Sequence, residues 1–172
     1  MTPTAPHGAR TLVAGVGNIF LGDDGFGVET ARRLAREDLP DGVEVADIGI
    51  RGVHLAYQLL DGYDTLVIVD ATARGGEPGT LYLIDAGSPD GDGTPAAADV
   101  PLDGHRMSPD AVLALLATLC AGTGAAPPRR TLVVGCEPAC LDEALELSPQ
   151  VAAAVPEAVR MVTDLVRQEA AV

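Results

Sequence analysis

Basic residues are scarce in this 172-residue chain: 11 Lys and Arg stand against 25 Asp and Glu, a formal net charge of −14. Binding phosphate backbones takes clustered cations and adhering to an anionic leaflet takes a basic patch, so the balance argues against nucleic-acid and membrane partners. Tryptophan is absent, with only two Phe and three Tyr. Stacking platforms for bases or sugars are therefore few, and the core must be built from aliphatic side chains. The three cysteines, Cys120, Cys136 and Cys140, are too few and odd in number for the disulfide framework of a secreted domain, which points to the cytoplasm. Met1–Arg10 lacks the apolar stretch of a secretory signal, and no uninterrupted apolar run approaches the roughly 18 residues of a membrane span.

What is present suits one α/β domain over residues 1–172. Hydrophobic residues make up 47% of the chain, enough to fill a core. Short β-branched runs alternate with stretches of helical spacing, the pattern of βαβ units around a mainly parallel sheet. Strands are predicted at Thr11–Val16, Val43–Ile48, Thr65–Val69, Thr80–Ile84 and Thr131–Val134, with the fourth antiparallel at an edge because its connection is too short for a crossover helix. Helices are predicted at Val28–Arg36, Val53–Leu60, Asp110–Leu119 and Gln150–Val166, the last two opened by Ser108-Pro109 and Ser148-Pro149. Residues 1–9 read as a flexible tail. Asp85–Gly104 reads as an acidic surface loop that either gates a site or is simply solvated.

The chemistry gathers where the first strand runs into GVGNIFLGDDGFG, Gly15–Gly27, on the loop that opens onto the ligand crevice of such a sheet. A dinucleotide fingerprint fails there: Gly15 and Gly17 fit, but Phe20 replaces the third glycine and Asp23-Asp24 would face the pyrophosphate. Paired carboxylates suit a cation instead, or one of them caps the helix beginning near Gly25. Asp70 closes the third strand, TLVIVD, where an apolar strand end makes a carboxylate expensive unless it is bonded or coordinated; it either caps the turn or shares a site with Asp24 across the switch point. His7 falls in the tail and His54 within a helix. His105, in DGHRMSPD, stands where the acidic loop meets a capped helix, and with Asp24 and Asp70 it would complete a three-ligand site with open positions. A G-x-S-x-G elbow is absent and no histidine lies near the cysteines in sequence, so nucleophilic serine or cysteine chemistry has little support; the cysteines read as small apolar fillers near the sheet edge.

GVGNIFLGDDGFG, IVDA, HRMSP and GCEP…LELSPQV, in that order, resemble the hydrogenase maturation proteases across nearly the whole chain. The resemblance implies a three-layer α/β/α fold with a twisted, mostly parallel five-stranded sheet. It implies an endopeptidase that removes the C-terminal extension of a nickel–iron hydrogenase large-subunit precursor after nickel insertion. It also implies that Asp24, Asp70 and His105 are both the metal site and the catalytic residues, with nickel supplied by the precursor. The chain departs from the family at DIGIRG, Asp47–Gly52, where Ile50 replaces a threonine and Arg51 adds a cation that either pairs with Asp47 or meets the substrate's C-terminal carboxylate. The alternative from another class is a non-catalytic metal-sensing chaperone that docks on the precursor without cutting it. A monomer is expected.

Overall fold

Five short strands and four helices arrange themselves around one twisted sheet in a computed structural model that describes residues 10–86 and 109–170. The strands are β1 Thr11–Val16, β2 Val43–Gly49, β3 Thr65–Ala71, β4 Leu81–Asp85 and β5 Arg130–Cys136. The helices are α1 Phe26–Leu34, α2 Gly52–Leu59, α3 Pro109–Thr123 and α4 Pro149–Ala170, with a 3₁₀ turn at Gly22–Gly25 leading into α1. The strand order is β2-β1-β3-β5-β4, parallel throughout except β4, which pairs antiparallel with β5 at the edge. Each predicted strand and helix is present, with ends displaced by no more than four residues. Asp85 ends β4 and so does not belong to the predicted acidic loop.

Alternation along the central strands builds two apolar layers, because successive side chains of a strand point to opposite faces. Val13, Val67, Val69 and Val134 face α1 and α4, where they meet Phe26, Leu34 and the buried stripe Val151, Val155, Val159, Val162 and Val166. Leu12, Ala14, Leu66, Ile68 and Val133 face α2 and α3, against Leu55, Leu59, Val112 and Leu116. A buried valine contributes roughly 1.5 kcal/mol, so the α4 stripe alone fixes that helix on the sheet. Ser148 caps α4: its Oγ accepts from Val151 N at 3.4 Å and its carbonyl from Ala152 N at 2.8 Å. Ser108, the other predicted cap, lies outside the described residues, as do the tail at 1–9 and residues 87–108 of the acidic loop and its approach to α3.

Order reverses between β1 and β3, since β1 leads to β2 on one side while β3 leads to β5 on the other. Ligands of open α/β sheets bind at this switch point, outside the carboxyl ends of the strands. Glycine makes the crossing tight enough to define it. A Cβ on Gly27 would stand 2.1 Å from the Val69 carbonyl oxygen and 2.4 Å from that of Val16, so α1 starts in direct backbone contact with the ends of β1 and β3. Gly27, seven residues beyond Phe20, thus performs the close-packing role that Phe20 does not.

Candidate active site

The first loop folds around a carboxylate. Asp24 is fully buried, and its Oδ2 accepts the Asn18 backbone N–H at 2.8 Å. Asn18 Oδ1 in turn accepts the Phe20 N–H at 2.9 Å, turning the chain back toward the 3₁₀ turn. Gly17 allows this wrap: its φ is +131°, and any Cβ would lie 1.9 Å from the Asp24 carbonyl oxygen. Asp70 is the next-to-last residue of β3, one residue beyond the Val69 carbonyl that Gly27 abuts, paired in register with Gly135 of β5. Asp24 and Asp70 therefore reach the same carboxyl edge, at the switch point. His105 lies outside the described residues, and among those residues no group of three His, Cys, Asp or Glu side chains is gathered for a metal.

Neither aspartate caps a helix. The 3₁₀ turn and α1 start without a side-chain cap bond, at Leu21 and Gly25. Asp23 instead binds the segment before α4. Its Oδ1 accepts Ser148 N at 2.7 Å, and its Oδ2 accepts Ala139 N at 2.7 Å, Cys140 N at 3.0 Å and Ser148 Oγ at 2.9 Å. Burial pushes its carboxyl up, but these bonds from Ser148, Cys140 and Ala139 outweigh it and leave the group below the usual range. The two adjacent carboxylates thus have different tasks. Their adjacency in sequence suggests a shared ligand; the bond partners separate them.

A third buried carboxylate, Glu137 just after β5, organises the loop that follows β3 and was not marked by sequence reasoning. Its Oε1 accepts Arg74 N and Gly76 N, each at 2.8 Å, and the Tyr82 hydroxyl at 2.9 Å. The bond from Arg74 is the main cause of a carboxyl held below its usual range, acting against burial. Glu137 closes the Thr72–Gly79 loop over the strand after Asp70, with Gly79 N donating to its carbonyl at 2.9 Å. A signal was available in GCEP, where an acidic residue stands at the carboxyl end of an apolar strand as Asp70 does in IVDA.

Three other expectations are refined. Cys136 is buried at a strand end and Cys120 in the α2–α3 layer, but Cys140 is exposed, with its Sγ 3.4 Å from Asp142 Oδ2; it is no core filler, because residues 139–146 form an exposed loop. Arg51 binds carbonyls, Asp47 O at 2.9 Å and Ile48 O at 3.3 Å, while the Asp47 carboxylate pairs with Arg32 at 3.4 Å. Arg51 therefore holds the end of β2 without pairing to the Asp47 side chain. His54 is an exposed residue of α2, as its ordinary reading requires.

A doubly wound α/β/α domain with a glycine-framed switch point flanked by carboxylates, and no phosphate-binding turn, defines the class. A family model for hydrogenase maturation proteases matches residues 28–165, and the chain belongs to that family. The Hydrogenase 2 maturation protease of Escherichia coli K12 is 33% identical over 161 residues, 92% of each chain. The structure of the hydrogenase maturating endopeptidase HybD from E. coli superposes with a TM-score of 0.72 at 31% identity, over 92% of this chain and 93% of that one. A putative hydrogenase maturation protease of Methanocaldococcus jannaschii is 37% identical over 97 residues, and the match spans 60% of its length.

Proposed function

We propose that this protein is the endopeptidase that removes the C-terminal extension from a nickel–iron hydrogenase large-subunit precursor once nickel is in place. The observation that carries the reading is that the chain belongs to the hydrogenase maturation protease family and packs the start of α1, just after Asp24, against the end of β3, which bears Asp70. Asp24, Asp70 and His105 are assigned as the protein's donors to the nickel carried by the precursor. Two carboxylates and one imidazole leave coordination positions for the substrate's own ligands. A metal shared between both partners makes completed insertion the condition for a productive complex.

Hydrolysis adds water across the scissile peptide bond: its oxygen joins the carbonyl carbon, the C–N bond breaks, and the released extension carries away the new amino terminus. A carboxylate at this edge can take the attacking water's proton, and nickel can polarise the carbonyl. Among the described residues no helix is long and apolar enough to cross a membrane. The sparse cysteines favour a reducing compartment such as the cytoplasm, and we read the protein as a monomer.

The test is the intact mass of a nickel-loaded precursor incubated with wild-type protein or with Asp24→Ala, Asp70→Ala or His105→Ala. Wild type should remove the extension, and each variant should process at least about 100-fold more slowly, the usual penalty for losing a metal-contacting or proton-transferring group. Normal processing by all three variants refutes the site. A stable complex with an uncut precursor supports the chaperone alternative.

A further inference from the structure

Residues 139–148 contain no helix and only one isolated bridge, yet they are fastened firmly to the first loop. Besides the four bonds to Asp23, Asp23 N donates to Cys140 O at 3.0 Å, Gly22 N to Ala144 O at 2.9 Å and Ala144 N to Phe20 O at 3.0 Å. Gly22, with φ +57°, would bring a Cβ to 2.9 Å from the Cys140 carbonyl, so the approach depends on its being glycine. Two irregular segments thus form one lip. Asp24 lies four residues from Phe20 on the same loop.

The lip turns apolar side chains outward. Phe20 is 61% exposed, Leu145 77% and Leu141 38%. Exposed Asp142, Glu143 and Glu146 alternate with them, and neither 15–31 nor 139–150 contains a single Arg or Lys. A scattered apolar residue on a surface is ordinary, but a group of them on coil held rigid by a buried carboxylate marks a contact surface.

We propose that this lip is the docking surface for a segment of the precursor polypeptide that carries both basic and apolar side chains and lies beside the bond to be cut. The proposal rests on the protease reading above, since it assigns the surface next to that site. Charge selects the occupant. A second copy of this chain would bring two acidic lips together, and the chain's own 87–108 segment carries four Asp against one Arg, so both are repelled where a basic peptide is attracted. Continuity with the loop that holds Asp24 places the bound segment within reach of the cleavage edge.

Steady-state processing of the nickel-loaded precursor separates the possibilities. Full-length wild type is compared with Phe20→Ser/Leu145→Ser, with Glu143→Lys/Glu146→Lys, and with Leu83→Ser, an exposed apolar residue on β4 away from the lip. Both lip variants should raise KM by about tenfold or more with kcat within about twofold, because surface docking residues act mainly on association. Wild-type KM should rise with salt, and the charge-reversed variant should lose most of that dependence; Leu83→Ser should match wild type. Unchanged KM in both lip variants, or a fall in kcat alone, overturns the docking proposal while wild-type cleavage leaves the protease reading intact. An uncut precursor with wild-type protein overturns the protease reading itself.

Discussion

Adjacent identical residues can serve unlike ends, and Asp23-Asp24 shows how bond partners decide which. Asp23 has its two oxygens filled by four donors from one segment, so it is a fastening; Asp24 receives the Asn18 N–H on Oδ2 at the edge shared with Asp70. Because the folded-state pKa of Asp23 is depressed, its stabilisation is fully present above the ordinary aspartate pKa of about 4 and is lost as pH falls through the lower folded value. Glu137 acts in the same direction. Asp23→Asn should therefore destabilise at pH 7, and the gap from wild type should narrow as the pH is lowered below about 4 in denaturant titrations. A gap independent of pH would mean that the carboxylate charge is not what holds the lip. The thiols divide as sharply. Burial, with the nearby Asp23 and Glu137 charges, pushes Cys136 up to about 11, whereas Cys140 is exposed. Iodoacetamide at neutral pH should alkylate Cys140 in the native protein and leave Cys136 and Cys120 untouched, as peptide mapping would reveal.

At the level of elements, the β1-to-α1 connection controls the site, and its glycines are structural necessities. Gly27→Ala would drive a methyl into the Val69 and Val16 carbonyls, which belong to central strands and cannot yield. A loss of about 3 kcal/mol or more is expected in chemical denaturation, at the upper end of overpacking costs. A loss below about 1 kcal/mol would show that α1 can shift away from the sheet. Strands and helices were legible because apolar runs bounded by Gly, Pro and Asp are strong local signals, and the antiparallel edge followed from a short connection. The approach of the β1-to-α1 connection to the end of β3 was legible for the same reason, since β1 and β3 are neighbours in a doubly wound sheet. The work of Asp23 and Glu137 was not. Their partners lie 116 to 125 and 55 to 63 residues away in sequence, and only the folded chain reveals them.

Across the whole molecule, charge is distributed by end. All 11 cations are arginines, and three of them are paired near the amino ends of the strands: Arg10 with Glu44, Arg129 with Asp64 and Arg130 with Glu169. At the carboxyl edge Arg51 is committed to the carbonyls of Asp47 and Ile48 and Arg74 lies over the Tyr82 ring, while the lip itself, residues 15–31 and 139–150, has no cation. The deficit of basic residues that first argued against polyanionic partners thus also leaves the lip beside the Asp24 loop acidic and partly apolar, suited to a cationic polypeptide. The most direct test of this account is the mass of a nickel-loaded hydrogenase large-subunit precursor before and after incubation with the wild-type protein. The account requires loss of a C-terminal peptide with nickel in place and none from the nickel-free precursor; an unchanged mass in the nickel-loaded sample would contradict it.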